Sequence, residues 1–196
     1  MFIELTDHLR CPEDHEEQYL VLLPDRLEAR SVREGRLGCP VCGRTYTLHD
    51  GALDLGGEAA AGREPPSALT PDAIAALAGV NGPGGYLVLV GAPGRLWREL
   101  AGVVPKVGLV AVNPGRETSD EPGVSVIRGP RLPLKSHSMR GVVLGPPYGG
   151  DPAWVAEAAR VVLPGLRVVG EGETPPPGVI ELMATADGVW VGTPRR

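Results

Sequence analysis

The chain has 196 residues, a length that suits one medium-sized domain or two small ones. With 19 basic and 24 acidic residues it carries a net charge of −5, which excludes a uniformly basic nucleic-acid coat protein. Aromatic residues make up only 4%, too few for a platform on which single-stranded bases stack. Because no stretch reaches the roughly 18 apolar residues of a membrane span, we expect no membrane segment.

Short strands are predicted in residues 1–57, which hold 11 acidic and 6 basic residues, whereas the rest of the chain is neutral. Apolar or alternating runs with strand character occur at 19–23, 26–32 and 44–48. The first run is predicted to end at the turn signal Pro24-Asp25, and the third precedes the turn signal Asp50-Gly51. The sequence therefore predicts a small N-terminal β domain.

Residues 70–196 alternate between helix and strand patterns and are predicted to form an α/β domain, after a linker at 58–69. The first helix is predicted to begin after Thr70 as its N-cap, with Pro71 in the first turn, and to end at Gly79. An unbroken apolar run, typical of a strand buried on both faces of a parallel sheet, occurs at 86–90. Further strands of this sheet are predicted at 107–112, 124–127, 141–144 and 166–169. Further helices are predicted at 95–100 and 151–163, and a terminal hairpin at 179–185 and 189–193.

Three cysteines predict a metal site. Cys39 and Cys42 are spaced so that both thiolates can bind one ion from a tight turn, and Cys11 lies upstream. Tetrahedral zinc needs a fourth ligand, for which the chain offers His15 or Asp14, and an imidazole nitrogen suits zinc better. This cysteine pattern is typical of a reducing compartment, so we expect a cytoplasmic protein. The competing hypothesis is a ribbon that has lost its zinc and is held by its core.

The N-terminal region resembles a family of small zinc ribbons that activate methyltransferases of tRNA, rRNA and release factors. The similarity rests on residues 5–12, 38–46 and 50–55. It implies a zinc-ribbon fold and a protein partner, with a methyltransferase as the candidate partner. Members of that family carry a second cysteine in the first knuckle, where this chain has Asp14.

Residues 84–196 resemble class I S-adenosylmethionine-dependent methyltransferases. The similarity is carried by residues 131–144, which run from a Leu-Pro loop through the fourth strand, and by 151–166, whose helix ends Ala-Arg-Val-Val-Leu-Pro-Gly. The resemblance implies an α/β chain built from a zinc-ribbon-like β domain and a trimmed Rossmann-like methyltransferase fold with a C-terminal β-hairpin. It also implies S-adenosylmethionine as the cofactor.

The positions that would hold this cofactor depart from the family pattern. Gly91 and Gly94 keep part of a glycine-rich turn after the first strand of the domain, but Pro93 lacks an N–H donor. Asn113 stands where the family has an acid for the ribose hydroxyls, and Gly129 follows the third strand in place of an acid near the adenine. Gly91, Gly94 and Asn113 are therefore the candidate cofactor contacts.

A second family motif is also altered. Gly145-Pro146-Pro147-Tyr148 follows the fourth strand, where amino-methyltransferases carry Asn-Pro-Pro-Tyr. If the chain is an active enzyme, the resemblance assigns substrate binding to Pro146, Pro147 and Tyr148, although Gly145 lacks the amide that holds the substrate nitrogen. The alternative interpretation is a proline-rich turn in a proline-rich protein.

A stretch without acidic residues, between Pro122 and Gly150, contains basic side chains that can contact RNA phosphates. These are Arg128, Arg131, Lys135 and Arg140. Such stretches are more often solvated loops than binding surfaces.

Two functions follow from these observations. The leading hypothesis is a degenerate methyltransferase-like protein, catalytically weak or inactive, that binds or regulates a partner. The alternative is an active S-adenosylmethionine-dependent methyltransferase acting on rRNA, tRNA or a protein. The missing acidic groups favour the first hypothesis. The domain order, shared with rRNA guanine methyltransferases that carry an N-terminal zinc finger, favours the second.

Overall fold

The structure, a computed structural model, describes residues 1–56, 65–115, 118–175 and 178–195. Of the linker predicted at 58–69, residues 58–64 lie outside the described residues. The strands are β1 (Val21–Glu28), β2 (Ser31–Gly38), β3 (Thr45–His49), β4 (Ala52–Asp54), β5 (Tyr86–Val90), β6 (Gly108–Val112), β7 (Val124–Arg128), β8 (Met139–Leu144), β9 (Val162–Glu171), β10 (Ile180–Ala186) and β11 (Val189–Pro194). The α-helices are α1 (Pro71–Ala78), α2 (Trp97–Val103) and α3 (Pro152–Val161), and 3-10 helices span Ile3–His8, Ala92–Leu96 and Tyr148–Gly150.

The strands of the described residues form one sheet in the order β1-β2-β3-β4-β7-β6-β5-β8-β9-β11-β10. Strands β7, β6, β5, β8 and β9 run parallel, and β11 and β10 add an antiparallel terminal hairpin. The predicted Rossmann-like α/β fold is therefore confirmed. Chain order reverses between β5 and β8, and sheets of this kind bind ligands in the crevice outside the carboxyl ends of strands at such a point.

The strands of the N-terminal region differ from the prediction in their bounds. β1 continues through Pro24, where a register shift against β2 marks a bulge that accommodates the proline. The chain turns instead at Ala29, which has a φ of 51°, and β2 begins at Ser31. The predicted turn at Pro24 and the predicted strand at 26–32 are therefore wrong.

The capping residues of the first helix act as predicted. The Thr70 hydroxyl accepts a hydrogen bond from the Ala73 amide at 3.2 Å, and Gly79 ends the helix with a φ of 69°. A left-handed residue at this position is typically glycine because a β-carbon would be strained there. None of the helices in the described ranges is long and apolar enough to cross a membrane.

The two faces of the sheet bury different partners. On one face, apolar side chains such as Val88 and Val90 share a core with α3 and with the N-terminal region. On the other face, Leu87 and Leu89 pack with α1 and α2. This alternation explains why β5 is apolar at every position: both of its faces are buried.

The N-terminal region and the α/β region share backbone pairing as well as a core. β4 pairs parallel with β7, with Leu53 opposite Ile127. Next to this pairing, the Met1 amino group lies 2.7 Å from Asp120 Oδ2, and Arg33 donates to the same oxygen at 3.0 Å. The sheet therefore continues across the boundary that the sequence predicted at residue 57.

Candidate metal centre and cofactor crevice

The first part of the metal centre is a tight turn directly after β2. The Cys39 carbonyl accepts a hydrogen bond from the Gly43 amide at 3.0 Å, and the Cys39 amide donates to the Arg44 carbonyl at 2.8 Å. Gly43 has a φ of 71°, a conformation that favours glycine. The turn places the thiols of Cys39 and Cys42 on one side, next to the loop that carries the other two candidate ligands.

Four side chains converge on one point. The ligand atoms of Cys11, His15, Cys39 and Cys42 all lie within 4.8 Å of one another. Cys11 Sγ is 3.7 Å from Cys42 Sγ, and Cys39 Sγ is 3.5 Å from His15 Nε2. Tetrahedral zinc, with Zn–S of about 2.3 Å and Zn–N of about 2.0 Å, would place two sulfurs about 3.8 Å apart and a sulfur and a nitrogen about 3.5 Å apart. The donor set and its spacing therefore fit zinc.

The structure brings His15, and not Asp14, into this cluster. His15 Nδ1 lies 2.7 Å from the Glu16 carbonyl oxygen, so it carries the proton and donates it. In the neutral imidazole that a metal requires, Nε2 would then carry a lone pair directed at the thiols. An imidazole oriented by a backbone carbonyl in this way is the usual arrangement of a metal-binding histidine.

The pKa values in the cluster show how strongly its groups interact. The Glu16 carbonyl and the nearby thiols raise the pKa of His15 to about 9. Burial opposes ionisation of Cys39, but hydrogen bonds from the Cys42 and Val41 amides lower its pKa to about 7. Burial raises the pKa of Cys11. The protons on the thiols and the imidazole hold this cluster together. A bound metal ion would displace these protons, because the groups bind a metal in their deprotonated forms.

A second layer of polar groups surrounds the cluster. The Tyr46 hydroxyl lies 3.5 Å from Cys11 Sγ and donates to Glu13 Oε1 at 3.2 Å. Burial and the neighbouring thiol raise the pKa of Tyr46, so the hydroxyl keeps its proton and acts as a donor. Arg44 pairs with the same glutamate at 3.4 Å. These contacts fix the loop that carries Cys11.

The crevice beyond β5 is packed with the chain's own side chains. The turn from Gly91 to Gly94 is buried. A β-carbon on Gly94 would lie 2.8 Å from Pro114 Cβ, and a β-carbon on Gly145 would lie 2.3 Å from Pro93 Cδ. Because these glycines lack side chains, prolines of neighbouring loops pack directly against them. The prolines therefore fill the space that the resemblance assigns to a cofactor.

Asn113, the candidate ribose contact, is also engaged within the chain. Its Nδ2 donates to the Gly129 carbonyl at 2.8 Å, and its Oδ1 accepts from the Gly129 amide at 3.0 Å. The residue is 5% exposed and has a φ of 50°. Leu55 packs over the same glycine, since a β-carbon on Gly129 would lie 2.8 Å from Leu55 Cβ. The residues at this edge of the sheet therefore do not fit the contacts that S-adenosylmethionine would require.

The altered substrate motif is also turned towards the core. Tyr148 is 3% exposed and packs edge-on against Trp154, with ring centroids 4.7 Å apart. Pro146 is half-buried and Pro147 is exposed. A tyrosine packed in this way does not present its ring face for stacking on a substrate.

The four basic residues proposed for RNA do not form one surface. Arg128 lies at the carboxyl end of β7 and Arg140 at the opposite end of the parallel strand β8. Arg128 donates to the Gly115 and Thr118 carbonyls, and Arg140 donates to the carbonyls of residues 81–84. Arg131 donates to the Pro12 carbonyl, and the Lys135 ammonium lies 5.2 Å from the centre of the Tyr19 ring.

Sequence reasoning missed the residues that join the two regions. Glu17 accepts hydrogen bonds from Ser136, 119 residues away, and from Arg10. Arg160 in α3 lies 3.9 Å from the same Glu17 carboxylate and also donates to the Leu132 and Leu134 carbonyls of its own region. Nothing in their spacing distinguishes these charged residues from ordinary surface residues.

Comparisons with known proteins give structural matches only. No protein-family model and no curated protein matches the chain. A Galdieria sulphuraria protein assigned as a sarcosine dimethylglycine methyltransferase matches with 17% identity and a TM-score of 0.42, over 51% of this chain and 45% of that one. An Aquifex aeolicus S-adenosylmethionine-dependent methyltransferase matches with 13% identity and a TM-score of 0.46, over 62% and 87%.

A third match is a structure that contains the Haloferax volcanii Trm112 methyltransferase activator in a complex. Identity is 19% and the TM-score is 0.40, over 48% of each chain. The chain thus spans about half the length of the Galdieria and Haloferax proteins. Values this low transfer no function.

Proposed function

We propose that this chain is a degenerate relative of class I methyltransferases that acts as a binding module and does not bind S-adenosylmethionine. Its N-terminal region is a zinc ribbon attached to its own α/β region. Its partner is a protein, and a methyltransferase is the candidate. The thiol-rich cluster suits the reducing cytoplasm that cysteine usage predicts.

The self-packed crevice is the observation that carries this proposal. The groups that would contact a cofactor already contact each other. The Asn113 side chain forms two hydrogen bonds with the Gly129 backbone, and Pro93 packs against Gly145. A cofactor would have to displace buried prolines and break two hydrogen bonds. Each broken bond leaves a buried polar group that costs about 1–3 kcal/mol unless it is satisfied again.

The zinc ribbon supports the fold in this proposal and takes no part in chemistry. Cys11, His15, Cys39 and Cys42 would hold the ion, and four protein ligands leave no position for a reacting group. A closed site of this kind contributes folding free energy directly.

The ribbon is proposed to occupy in cis a sheet edge that would otherwise be exposed. β4 covers β7 through parallel pairing, and apolar residues of the N-terminal region complete the core beneath it. An unpaired strand edge invites association with other chains. Attachment in cis therefore leaves partner binding to other surfaces of the chain.

Cofactor titration by calorimetry distinguishes this proposal from an active methyltransferase. The zinc-loaded protein should show no saturable heat with S-adenosylmethionine or with S-adenosylhomocysteine, while an active methyltransferase serves as the positive control. Saturable binding at micromolar concentration would favour the enzyme that acts on rRNA, tRNA or a protein.

A further inference from the structure

The metal-binding loop and the loop between β7 and β8 lie side by side. Leu9 forms an antiparallel bridge with Leu134. The Arg10 amide donates to the Pro133 carbonyl at 3.0 Å, and the Lys135 amide donates to the His8 carbonyl at 2.8 Å. Residues 131–136 therefore run along the segment that leads into the first metal ligand, Cys11.

Two further contacts come from the metal-binding loop itself. The Pro12 carbonyl, one residue after Cys11, accepts a hydrogen bond from Arg131 at 3.1 Å. The Glu17 carboxylate, two residues after His15, accepts from the Ser136 hydroxyl at 2.6 Å and from its amide at 3.3 Å. Both ends of the 131–136 loop are thus attached to the short segment that carries two metal ligands.

That segment has little structure of its own to hold it in place. Residues 12–17 form bends without regular helix or strand. A hydrogen bond from the Cys11 amide to the Gln18 carbonyl, 2.8 Å long, closes the loop at its base. Small loops of this kind owe their order to the bound ion, because ligand bonds replace the missing core.

The middle of the 131–136 loop is held from the other side. Arg160 donates to the Leu134 carbonyl at 2.7 Å and to the Leu132 carbonyl at 3.0 Å. At one end of the loop, Arg160 also donates to the Ser136 hydroxyl at 3.3 Å, but the Ser136 amide donates to Glu17 of the metal-binding loop. Loss of the ion should therefore release the Arg131 side chain and the Ser136 amide, which bond to the metal-binding loop, and leave the centre of the loop in place.

The same loop borders a cavity at the crevice edge of the sheet. This cavity has a volume of about 240 Å³ and is lined by Pro130, Arg131, Ala153, Trp154 and Glu157. Arg131 is the residue that bonds to the Pro12 carbonyl, so the order of the metal-binding loop sets the position of one wall.

We propose that metal occupancy of the cysteine–histidine cluster controls the 131–136 loop through Pro12 and Glu17, and thereby the shape of this cavity. The proposal rests on the zinc binding proposed above. It makes the metal centre a regulator of the neighbouring 131–136 loop as well as a support for the ribbon, because the two loops are joined by hydrogen bonds.

Residue-resolved amide hydrogen exchange by NMR tests this coupling in the full-length protein with measured zinc content. On chelation, the Ser136 amide should exchange about tenfold faster or more, the effect of losing a hydrogen bond to a charged acceptor. Amides of β5 and β8 should keep their protection. If the β5 and β8 amides also lose protection, removal of zinc has unfolded the chain, and the zinc-loaded Glu17→Ala variant then tests the coupling.

Glu17→Ala separates the coupling from metal binding, since Glu17 is not a ligand. It should retain one zinc per chain and show the fast Ser136 exchange even when loaded. Glu16→Ala is the matched control, because the His15 ring contacts only the backbone carbonyl of that residue. Unchanged Ser136 exchange in loaded Glu17→Ala would overturn the coupling and leave zinc binding intact. Protein that binds no zinc would contradict the proposed metal centre itself.

Discussion

The metal cluster and the crevice beyond β5 are both places where sequence patterns indicated a ligand, and the structure treats them in opposite ways. At the cluster, thiol and imidazole groups converge at distances of 3.5 and 3.7 Å, which match the edges of a zinc tetrahedron. At the crevice, Asn113 and Gly129 satisfy each other, and prolines fill the space beside the glycines. Thiol and imidazole groups that converge at the spacing of metal ligands indicate a metal site, whereas amide and backbone groups that pair with each other indicate a closed core.

Removal of zinc should cause the largest loss of stability. With free zinc a thousandfold above its dissociation constant, the ion adds about 4 kcal/mol, or roughly 8–16 °C in the unfolding midpoint of a chain this long. We expect this shift in differential scanning calorimetry with and without chelator. His15→Ala should remove most of it, while His49→Ala, at an exposed histidine outside the cluster, should respond to zinc like the parent. Equal responses of the two variants would contradict the ligand assignment.

Arg160 holds the 131–136 loop, which lies against the metal-binding loop, and its removal should have the second-largest effect on stability. Arg160→Ala breaks the bonds to the Leu132 and Leu134 carbonyls and the ion pair with Glu157, at a cost of about 2–4 kcal/mol. Urea unfolding measures this free energy. Arg26→Ala is the control, because Arg26 is half-exposed and makes only long ion pairs, so its loss should cost less than about 0.5 kcal/mol. Similar costs for both variants would show that the loop does not depend on Arg160.

Substitutions towards the methyltransferase motif at Gly145 should disrupt the closed crevice. Gly145→Ala places a methyl group 2.3 Å from Pro93 Cδ, an overpacking that costs about 1–3 kcal/mol. Gly145→Asn, which introduces the side chain of the amino-methyltransferase motif, should cost at least as much and should confer no cofactor binding. Gly102→Ala is the matched control: it lies in α2 with open space around it and should stabilise by about 0.5–1 kcal/mol. A stable Gly145→Asn variant would show that the crevice can open.

Asn113→Asp is expected to give the smallest of these effects. The carboxylate can accept from the Gly129 amide but cannot donate to its carbonyl, so stability should fall by about 1–2 kcal/mol. Asn81→Asp, at an exposed position, should change it by less than about 0.5 kcal/mol. Neither variant should bind S-adenosylmethionine. Cofactor binding that appears in the parent and tightens in Asn113→Asp would identify position 113 as a ribose contact.

The metal cluster could be predicted from the sequence because its evidence is local. Cys39 and Cys42 lie in one turn, and the choice between His15 and Asp14 required only the chemistry of zinc. The parallel strands were also visible, since burial on both faces makes them mostly apolar, although Ser125, Arg140 and Arg167 interrupt β7, β8 and β9. The turn after β1 could not be predicted. Proline usually ends a strand, but here a bulge next to Pro24 lets β1 continue beyond it.

The closure of the crevice depends on contacts between distant segments. The sequence showed that Pro93 lacks a donor, but not that its ring packs on Gly145, or that Leu55 from the N-terminal region covers Gly129. The pairing of Glu17 with Ser136 spans 119 residues. Propensity and periodicity describe neighbours along the chain, so contacts of this kind become visible only when the fold is known.

Native mass spectrometry of the protein incubated with one equivalent of zinc and an excess of S-adenosylmethionine tests both regions in one spectrum. The account predicts a single species with one zinc ion per chain and no bound cofactor. A species that carries S-adenosylmethionine, or a chain that remains free of zinc, would contradict the contrast between an open metal cluster and a closed crevice.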